Sequence, residues 1–241
     1  MPEISRVPVC RDCLRDPAPL DAEFFCVSCR TPFQNRFPLD DKGRCALCRS
    51  GVRGFDAAYS FGFYDGVLRQ LIHLYKYRKV RTLADPLGDL LLRALPRDEA
   101  FDLVVPVPLH WRKRWQRGFN QAGLLAQRVA SHTGIPASRL LRRSRSTASQ
   151  AGLSNTNRRR NVATAFACSR PDRARGRKIL LIDDVMTTGS TAAACALALK
   201  RAGATRVVLL TVSRADRRYV TSLRATSPDQ SICDGGNLLN G

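Results

Sequence analysis

Residues 179–191 read Ile-Leu-Leu-Ile-Asp-Asp-Val-Met-Thr-Thr-Gly-Ser-Thr, and few folds accommodate that order of residue types. Four uninterrupted apolar residues suit a strand buried on both faces, as in a parallel sheet. Asp183 and Asp184 then fall at its carboxyl end, and a hydroxyl-rich loop with Gly189 at its centre follows. The next run, AAACALALKRAG, reads as a helix. Strand, loop and helix in that order bring backbone N–H groups, hydroxyls and the positive end of a helix to one point, where a phosphate can sit. Two carboxylates beside them can hold the vicinal hydroxyls of a ribose, or a metal ion bound to those hydroxyls. Ligands of open α/β sheets bind outside the carboxyl ends of the strands, where this segment lies. The segment therefore reads as a sugar-phosphate site. The rival reading, a buried strand turning into a helix with an ordinary acidic cap, does not require two carboxylates followed by Thr-Thr-Gly-Ser-Thr.

The surrounding sequence supplies the rest of an α/β unit. DLVVPVPL, residues 102–109, is an apolar strand ending at two prolines, and FNQAGLLAQRVASHTG is a helix stopped by Gly134. A strand near ATAFAC, the strand and helix just described, and a last strand RVVLLTVS complete the alternation, with Gly203 as the residue after the last helix. Alternating strands and helices predict a parallel sheet with helices on both faces, over residues 101–215. Residues 56–100 read as a helical connector, or hood. Asp65-Gly66 marks a turn, and Leu68, Leu71, Ile72 and Tyr75 share one face of the helix that follows. Asp85 and Pro86 are expected as N-cap and first residue of a second helix. Residues 216–241 carry no pattern and read as a disordered tail.

Residues 1–55 hold three Cys-x-x-Cys pairs, Cys10/Cys13, Cys26/Cys29 and Cys45/Cys48. Two such pairs complete a tetrahedral zinc site, and a segment this short needs a metal to fold. The preferred ligands are Cys26, Cys29, Cys45 and Cys48, with Cys10 and Cys13 as alternates or as part of a second, incomplete site. A redox role is the competing reading, but no thioredoxin-like context surrounds any pair. Cys168, Cys195 and Cys233 are isolated, and Cys195 lies within an apolar helix as a core residue.

The formal net charge is +20. Its distribution is more informative: residues 110–178 carry seventeen lysines and arginines against the single acid Asp172, whereas residues 1–55 carry nine basic and seven acidic side chains. A field of that sign attracts pyrophosphate-bearing substrates and single-stranded nucleic acid, although a solvated arginine-rich surface gives the same composition. Trp111, Trp115 and Phe119 lie among the arginines as candidate stacking platforms, or as residues packed on the next helix. The start of the chain has no apolar leader-like segment and no stretch is long enough for a membrane span, so a cytoplasmic location without membrane insertion is expected.

A sugar-phosphate site also needs groups for any further phosphates. The proline-fixed turn after the first strand can offer the N–H groups of Val107 and Leu109, and Arg112, Lys113, Arg114 and Arg117 can neutralise charge. The prolines can equally just end the strand. Residues 140–167 are polar, basic and poor in core residues. They suit a loop that closes over a ligand, with Gln150, Arg158 and Asn161 as contacts. His73, His110 and His132 are scattered and form no triad-like arrangement.

Residues 179–191 resemble, along their full length, the phosphoribosyl pyrophosphate motif of type I phosphoribosyltransferases. With the cysteine pairs, YDGVLRQLIHLYKY, VPVPLHWRKRWQRGFNQAGLLAQ and the Thr147–Gln150–Leu153–Arg158–Asn161–Phe166 spacing, the chain resembles the ComF family of competence-associated phosphoribosyltransferase-like proteins. That resemblance implies an amino-terminal zinc ribbon joined to a type I phosphoribosyltransferase fold. It implies that Asp183 and Asp184 orient the ribose, that Thr187, Thr188, Gly189, Ser190 and Thr191 receive the 5′-phosphate, that Val185 and Met186 belong to the same substrate-binding segment, and that Mg²⁺ accompanies the ligand. It also implies a link to uptake of single-stranded DNA in natural transformation, with competence-machinery proteins as further partners. Family members often carry four cysteine pairs, and this chain has three. Three functions are consistent with these features: a transferase with an unnamed acceptor, a non-catalytic single-stranded-DNA-binding or adaptor protein, and a sensor of phosphoribosyl pyrophosphate. Oligomeric state is open, a homodimer being one arrangement.

Overall fold

The computed structural model describes residues 7–50, 54–109, 115–143 and 165–215. His110, Trp111, Arg112, Lys113, Arg114, Gln150, Arg158, Asn161 and the expected tail 216–241 lie outside these residues.

In chain order the elements are helix α1 (Arg11–Arg15), strands β1 (Phe24–Phe25) and β2 (Pro32–Phe33), helix α2 (Ala46–Arg49), strand β3 (Ala57–Phe63), helices α3 (Gly66–Tyr77) and α4 (Ala84–Ala94), strand β4 (Leu103–Pro106) and helix α5 (Gln121–Thr133). Strands β5 (Leu141–Arg143) and β6 (Phe166–Cys168), helix α6 (Pro171–Ala174), strand β7 (Lys178–Met186), helix α7 (Ser190–Arg201) and strand β8 (Arg206–Arg214) follow.

Strands β3, β8, β7 and β4 form one parallel sheet in that order. The two-residue period of a strand divides its side chains between two cores. Ile179 and Leu181 of β7 face the alanine-rich surface of α7, where Ala192, Ala196 and Leu199 are buried. Leu180 and Ile182 face the opposite way, onto Ile72 of α3, Leu87 and Leu91 of α4 and Leu125 and Val129 of α5. The sheet thus has helices on both faces, as expected. The stripe Leu68, Leu71, Ile72 and Tyr75 is the buried face of α3. Helix α7 ends as its sequence indicates. Gly203 takes φ +92°, its N–H bonds the Lys200 carbonyl, and the Ala204 N–H bonds the Leu199 carbonyl, the paired bonds of a Schellman cap.

Three expectations are corrected. The connector over 56–100 is not wholly helical, because β3 is an edge strand of the parallel sheet and the sheet unit starts at Ala57. Ser60 and Gly62 interrupt its apolar run, but the Ser60 hydroxyl is matched by that of Thr211 at 2.7 Å and Gly62 leaves room for the Ala18 carbonyl. The strand near ATAFAC stands outside the parallel sheet: β6 pairs antiparallel with β5, so the two ends of the 140–167 segment are joined as a short ribbon. Finally, α4 starts at Ala84, which places Asp85 inside the first turn instead of at the cap.

Leu180 is fully buried at the centre of this arrangement. Leu180→Ala is expected to cost about 2–5 kcal/mol in urea-unfolding experiments, through lost burial and the cavity left behind.

Candidate functional site

Strand β7 runs past its apolar core and carries Asp183 and Asp184 in its second half. The Asp184 N–H donates to the Asp183 Oδ1 at 2.9 Å, which fixes the first carboxylate against the backbone of the second. Asp184 is 8% exposed, and its Oδ1 lies 2.7 Å from the Lys76 ammonium, with both side chains largely withdrawn from water. Asp183 is half-buried. Burial in the first place, and then the Asp184 charge, push its carboxyl up to about 7, while Lys76 and Arg117 pull in the opposite direction.

Met186 is buried, and the chain then turns outward through exposed Thr187 and Thr188. Gly189 sits in the left-handed region at φ +75°, where a side chain would be strained, and starts α7 without a side-chain cap on the helix. The Thr188 Oγ1 lies 2.9 Å from the Ser190 Oγ, and Ser190 and Thr191 are exposed. The loop therefore presents hydroxyls and first-turn N–H groups, beside the carboxylates, at the carboxyl end of the sheet.

On the neighbouring side, Arg117 donates to the Gln121 Oε1 at 3.3 Å and its guanidinium lies 5.0 Å from the Tyr77 ring centroid. The Gln121 side chain is buried, and its Nε2 has no partner among the described residues. Such a donor is costly unless something accepts from it. The Tyr75 hydroxyl donates to the Gln121 carbonyl at 2.9 Å, and burial first, then Asp184 and Asp85, push its ionisation upward so that it stays neutral.

The turn after β4 is used differently from expectation. The Val107 N–H donates to the Ile182 carbonyl at 2.9 Å, extending the β4–β7 ladder, and so is not available to an anion. The Val107 carbonyl accepts from the Asn120 side chain at 3.2 Å. Leu109 lines a cleft of about 270 Å³ together with Arg81, Asn120, Gln127 and Arg139, and none of residues 183–191 reaches that cleft. Phe119 is also no exposed platform. It is buried against Tyr75, with 5.4 Å between ring centroids, whereas Trp115 is 86% exposed.

The sulfurs of Cys26, Cys29, Cys45 and Cys48 all lie within 4.8 Å of one another, and those of Cys29 and Cys45 are 3.7 Å apart. A tetrahedral ion with sulfur bonds of about 2.3 Å needs sulfur separations of about 3.8 Å, so the four fit one metal. The thiols lie close enough to share protons through hydrogen bonds. Cys26 is pushed down to about 6: its contact with Cys29 opposes the shift, but those with Cys45 and Cys48 outweigh it. Cys45 and Cys48 are pushed up, first by their hydrogen bonds to Cys26 and Cys29. A bound cation relieves that accumulating negative charge. Cys10 and Cys13 are set apart at α1, where the Cys13 N–H bonds the Cys10 sulfur, and they do not join the four.

Comparison with known proteins identifies the family of the chain. Residues 116–224 match the phosphoribosyl transferase domain family. The chain is 35% identical to the DNA utilization protein YhgH of Escherichia coli (strain K12) over 170 residues, 68% of this chain and 74% of that protein. It is 32% identical to Competence protein F of Haemophilus influenzae over 180 residues, 71% and 78% of the two chains. The chain belongs to the ComF family. Among solved structures, the glutamine phosphoribosylpyrophosphate amidotransferase of B. subtilis in complex with ADP and GMP aligns at 23% identity and a TM-score of 0.38. That alignment covers 52% of this chain and only 25% of that one.

Within this ComF chain the structure brings Asp183, Asp184, the 187–191 loop and Arg117 to one region, and adds Lys76 and Gln121, which sequence reasoning missed. Lys76 reads as an ordinary surface lysine near the end of α3, and only the packing of that helix aims it at a carboxylate 108 positions later. Gln121 looks like any first-turn polar residue. No helix among the described residues is long and apolar enough to cross a membrane.

Asp183 gives a pH signature. Its carboxyl is raised above the ordinary unfolded value of about 4, so the folded state holds this proton more tightly. The stability due to this group is full below about pH 4 and is lost as pH rises towards about 7. Asp183→Asn is therefore expected to be more stable than wild type at about pH 8, by about 1–3 kcal/mol after allowance for partial exposure, with the gap closing at about pH 4 in urea unfolding.

Proposed function

We propose that this protein binds phosphoribosyl pyrophosphate with Mg²⁺ at the β7–α7 junction and acts as a phosphoribosyltransferase-like protein connected with DNA uptake. The observation that carries this reading is the juxtaposition of the Asp183–Asp184 pair with the start of α7, where the N-cap Gly189 has no side chain and, among the described residues, only the Ser190 N–H is met, at 3.4 Å, by the Thr188 hydroxyl. The 5′-phosphate would take the loop from Thr187 to Thr191, and the two ribose hydroxyls would donate to Asp183 and Asp184. Arg117, Lys76 and the spare Gln121 donor supply positive potential and hydrogen bonds on the side where pyrophosphate would lie. Two adjacent carboxylates suit a divalent cation accompanying the ligand. Mg²⁺ there would neutralise charge on the departing pyrophosphate. Positioning and charge neutralisation are what such a transfer asks of a protein, since the ribosyl carbon becomes cation-like as pyrophosphate leaves. Zinc in the four-cysteine knuckle would be structural, as the all-thiolate ligand set leaves no open position. The relatives' names, DNA utilization protein and Competence protein, are the ground for the link to DNA uptake.

A second reading rests on Trp115, which is 86% exposed, and on Tyr77, 57% exposed with the Arg117 guanidinium over its ring. Exposed aromatics beside arginine form a stacking surface for single-stranded DNA.

Ligand binding to the folded state raises stability by mass action. Phosphoribosyl pyrophosphate with Mg²⁺ is expected to raise the melting temperature of wild type by several degrees and to have no effect on the Asp183→Asn/Asp184→Asn protein. Salt-sensitive binding of single-stranded DNA that survives those substitutions, with no melting shift in wild type, would instead favour the second reading.

A further inference from the structure

We infer that Arg214 is a positioning residue that couples the four-cysteine knuckle to the sugar-phosphate loop, so that metal in one and ligand in the other strengthen each other; this rests on the ligand reading proposed above.

Arg214 is the last residue of β8 and is 3% exposed. Arginine is seldom buried so completely without a specific role for its fork of donors. Here the fork reaches into the knuckle: Nη1 donates to the Cys29 carbonyl at 2.8 Å and Nη2 to the Thr31 Oγ1 at 2.6 Å. The same Thr31 hydroxyl lies 2.8 Å from the Cys29 sulfur. One guanidinium therefore orients both the backbone and the hydrogen-bond partner of a metal ligand. Four thiolates around a dication leave a net charge of about −2, and a buried cation beside them offsets it.

The backbone at Arg214 and Ala215 holds the ligand site. Arg214 is paired with Met186 in the β7–β8 ladder, and the Ala215 N–H donates to the Met186 carbonyl at 2.9 Å. Met186 directly precedes Thr187. The Arg214 carbonyl accepts from the Tyr64 N–H at 2.8 Å, immediately before Asp65, the N-cap of α3. That helix carries Lys76, the partner of Asp184. Arg214 thus grips the knuckle with its side chain and holds the α3 arm of the ligand site with its carbonyl, while the N–H of the next residue, Ala215, holds the arm that leads into Thr187. The attachment is reinforced at the sheet edge, where the Ala58 N–H donates to the Ser28 carbonyl at 2.8 Å. A coupling of this kind is reciprocal: whatever metal does for ligand affinity, ligand must do for metal affinity.

The test uses the full-length protein loaded with one equivalent of zinc. Transfer of zinc to a chromogenic chelator is timed with and without phosphoribosyl pyrophosphate and Mg²⁺, and melting temperatures are read in parallel. In wild type the ligand is expected to slow zinc release by about fivefold or more. In Arg214→Met the ratio is expected to fall to about one while zinc still binds and the ligand still shifts the melting temperature. Thr31→Val, which removes one acceptor and leaves Arg214 in place, should give an intermediate ratio and serves if Arg214→Met does not fold. A merely structural arginine would lower stability in these variants and leave the ratio unchanged. A ligand-shifted melting temperature with no change in zinc release in wild type overturns the coupling alone, as does an undiminished ratio in both variants. No melting shift in wild type overturns the ligand reading and the coupling with it.

Discussion

Two carboxylates side by side near the end of a buried strand repel each other, and the placement of α3 answers that repulsion. Lys76 reaches Asp184 at 2.7 Å only because the stripe from Leu68 to Tyr75 seats α3 on the sheet. Breaking a largely buried pair of this kind would strand a charge, which costs several times what an exposed pair contributes. Asp183 remains partly uncompensated and titrates near neutrality. Strain held in this way is typical of a site that waits for a cation or for hydroxyl donors, and it is a poor choice for a purely structural strand end.

The ribbon with its cysteines is part of the same design and not a separate appendage. Cys26, Cys29 and Cys45 share an apolar cluster with Phe55, Ala58 and the buried face of α7. The knuckle is therefore attached to the sheet by this apolar contact, by the Arg214 fork and by the Ala58–Ser28 backbone bond. Domain boundaries drawn from composition alone separate segments that the packing joins.

Much of this was legible in sequence because it depends on local rules. The 179–191 run announced strand, turn and helix together. Gly134 and Gly203 marked helix ends, and the period of Leu68, Leu71, Ile72 and Tyr75 marked a buried face. The cysteine spacing picked out the four sulfurs that the fold gathers. What stayed hidden depends on distant partners. Strand β3 was obscured by Ser60, whose hydroxyl is satisfied by the distant Thr211. Val107 looked like a free donor until β4 was paired with β7. Lys76, Gln121 and Arg214 are ordinary residues at element ends, and each becomes informative only when another element arrives beside it. The family resemblance carried the expected ligand, and composition alone would have reached no further than a basic α/β protein.

On the reading proposed above, the start of α7 receives the 5′-phosphate of phosphoribosyl pyrophosphate. Phosphorus NMR resolves that phosphate from the pyrophosphate group in one sample. With Mg²⁺ and substoichiometric protein, the 5′-phosphate resonance should broaden or shift for wild type and be restored to its free position by Thr188→Arg, which obstructs the loop. A 5′-phosphate signal that stays at its free position with wild type, at ligand concentrations that saturate other phosphoribosyl-binding proteins, would show that the start of α7 does not receive this phosphate.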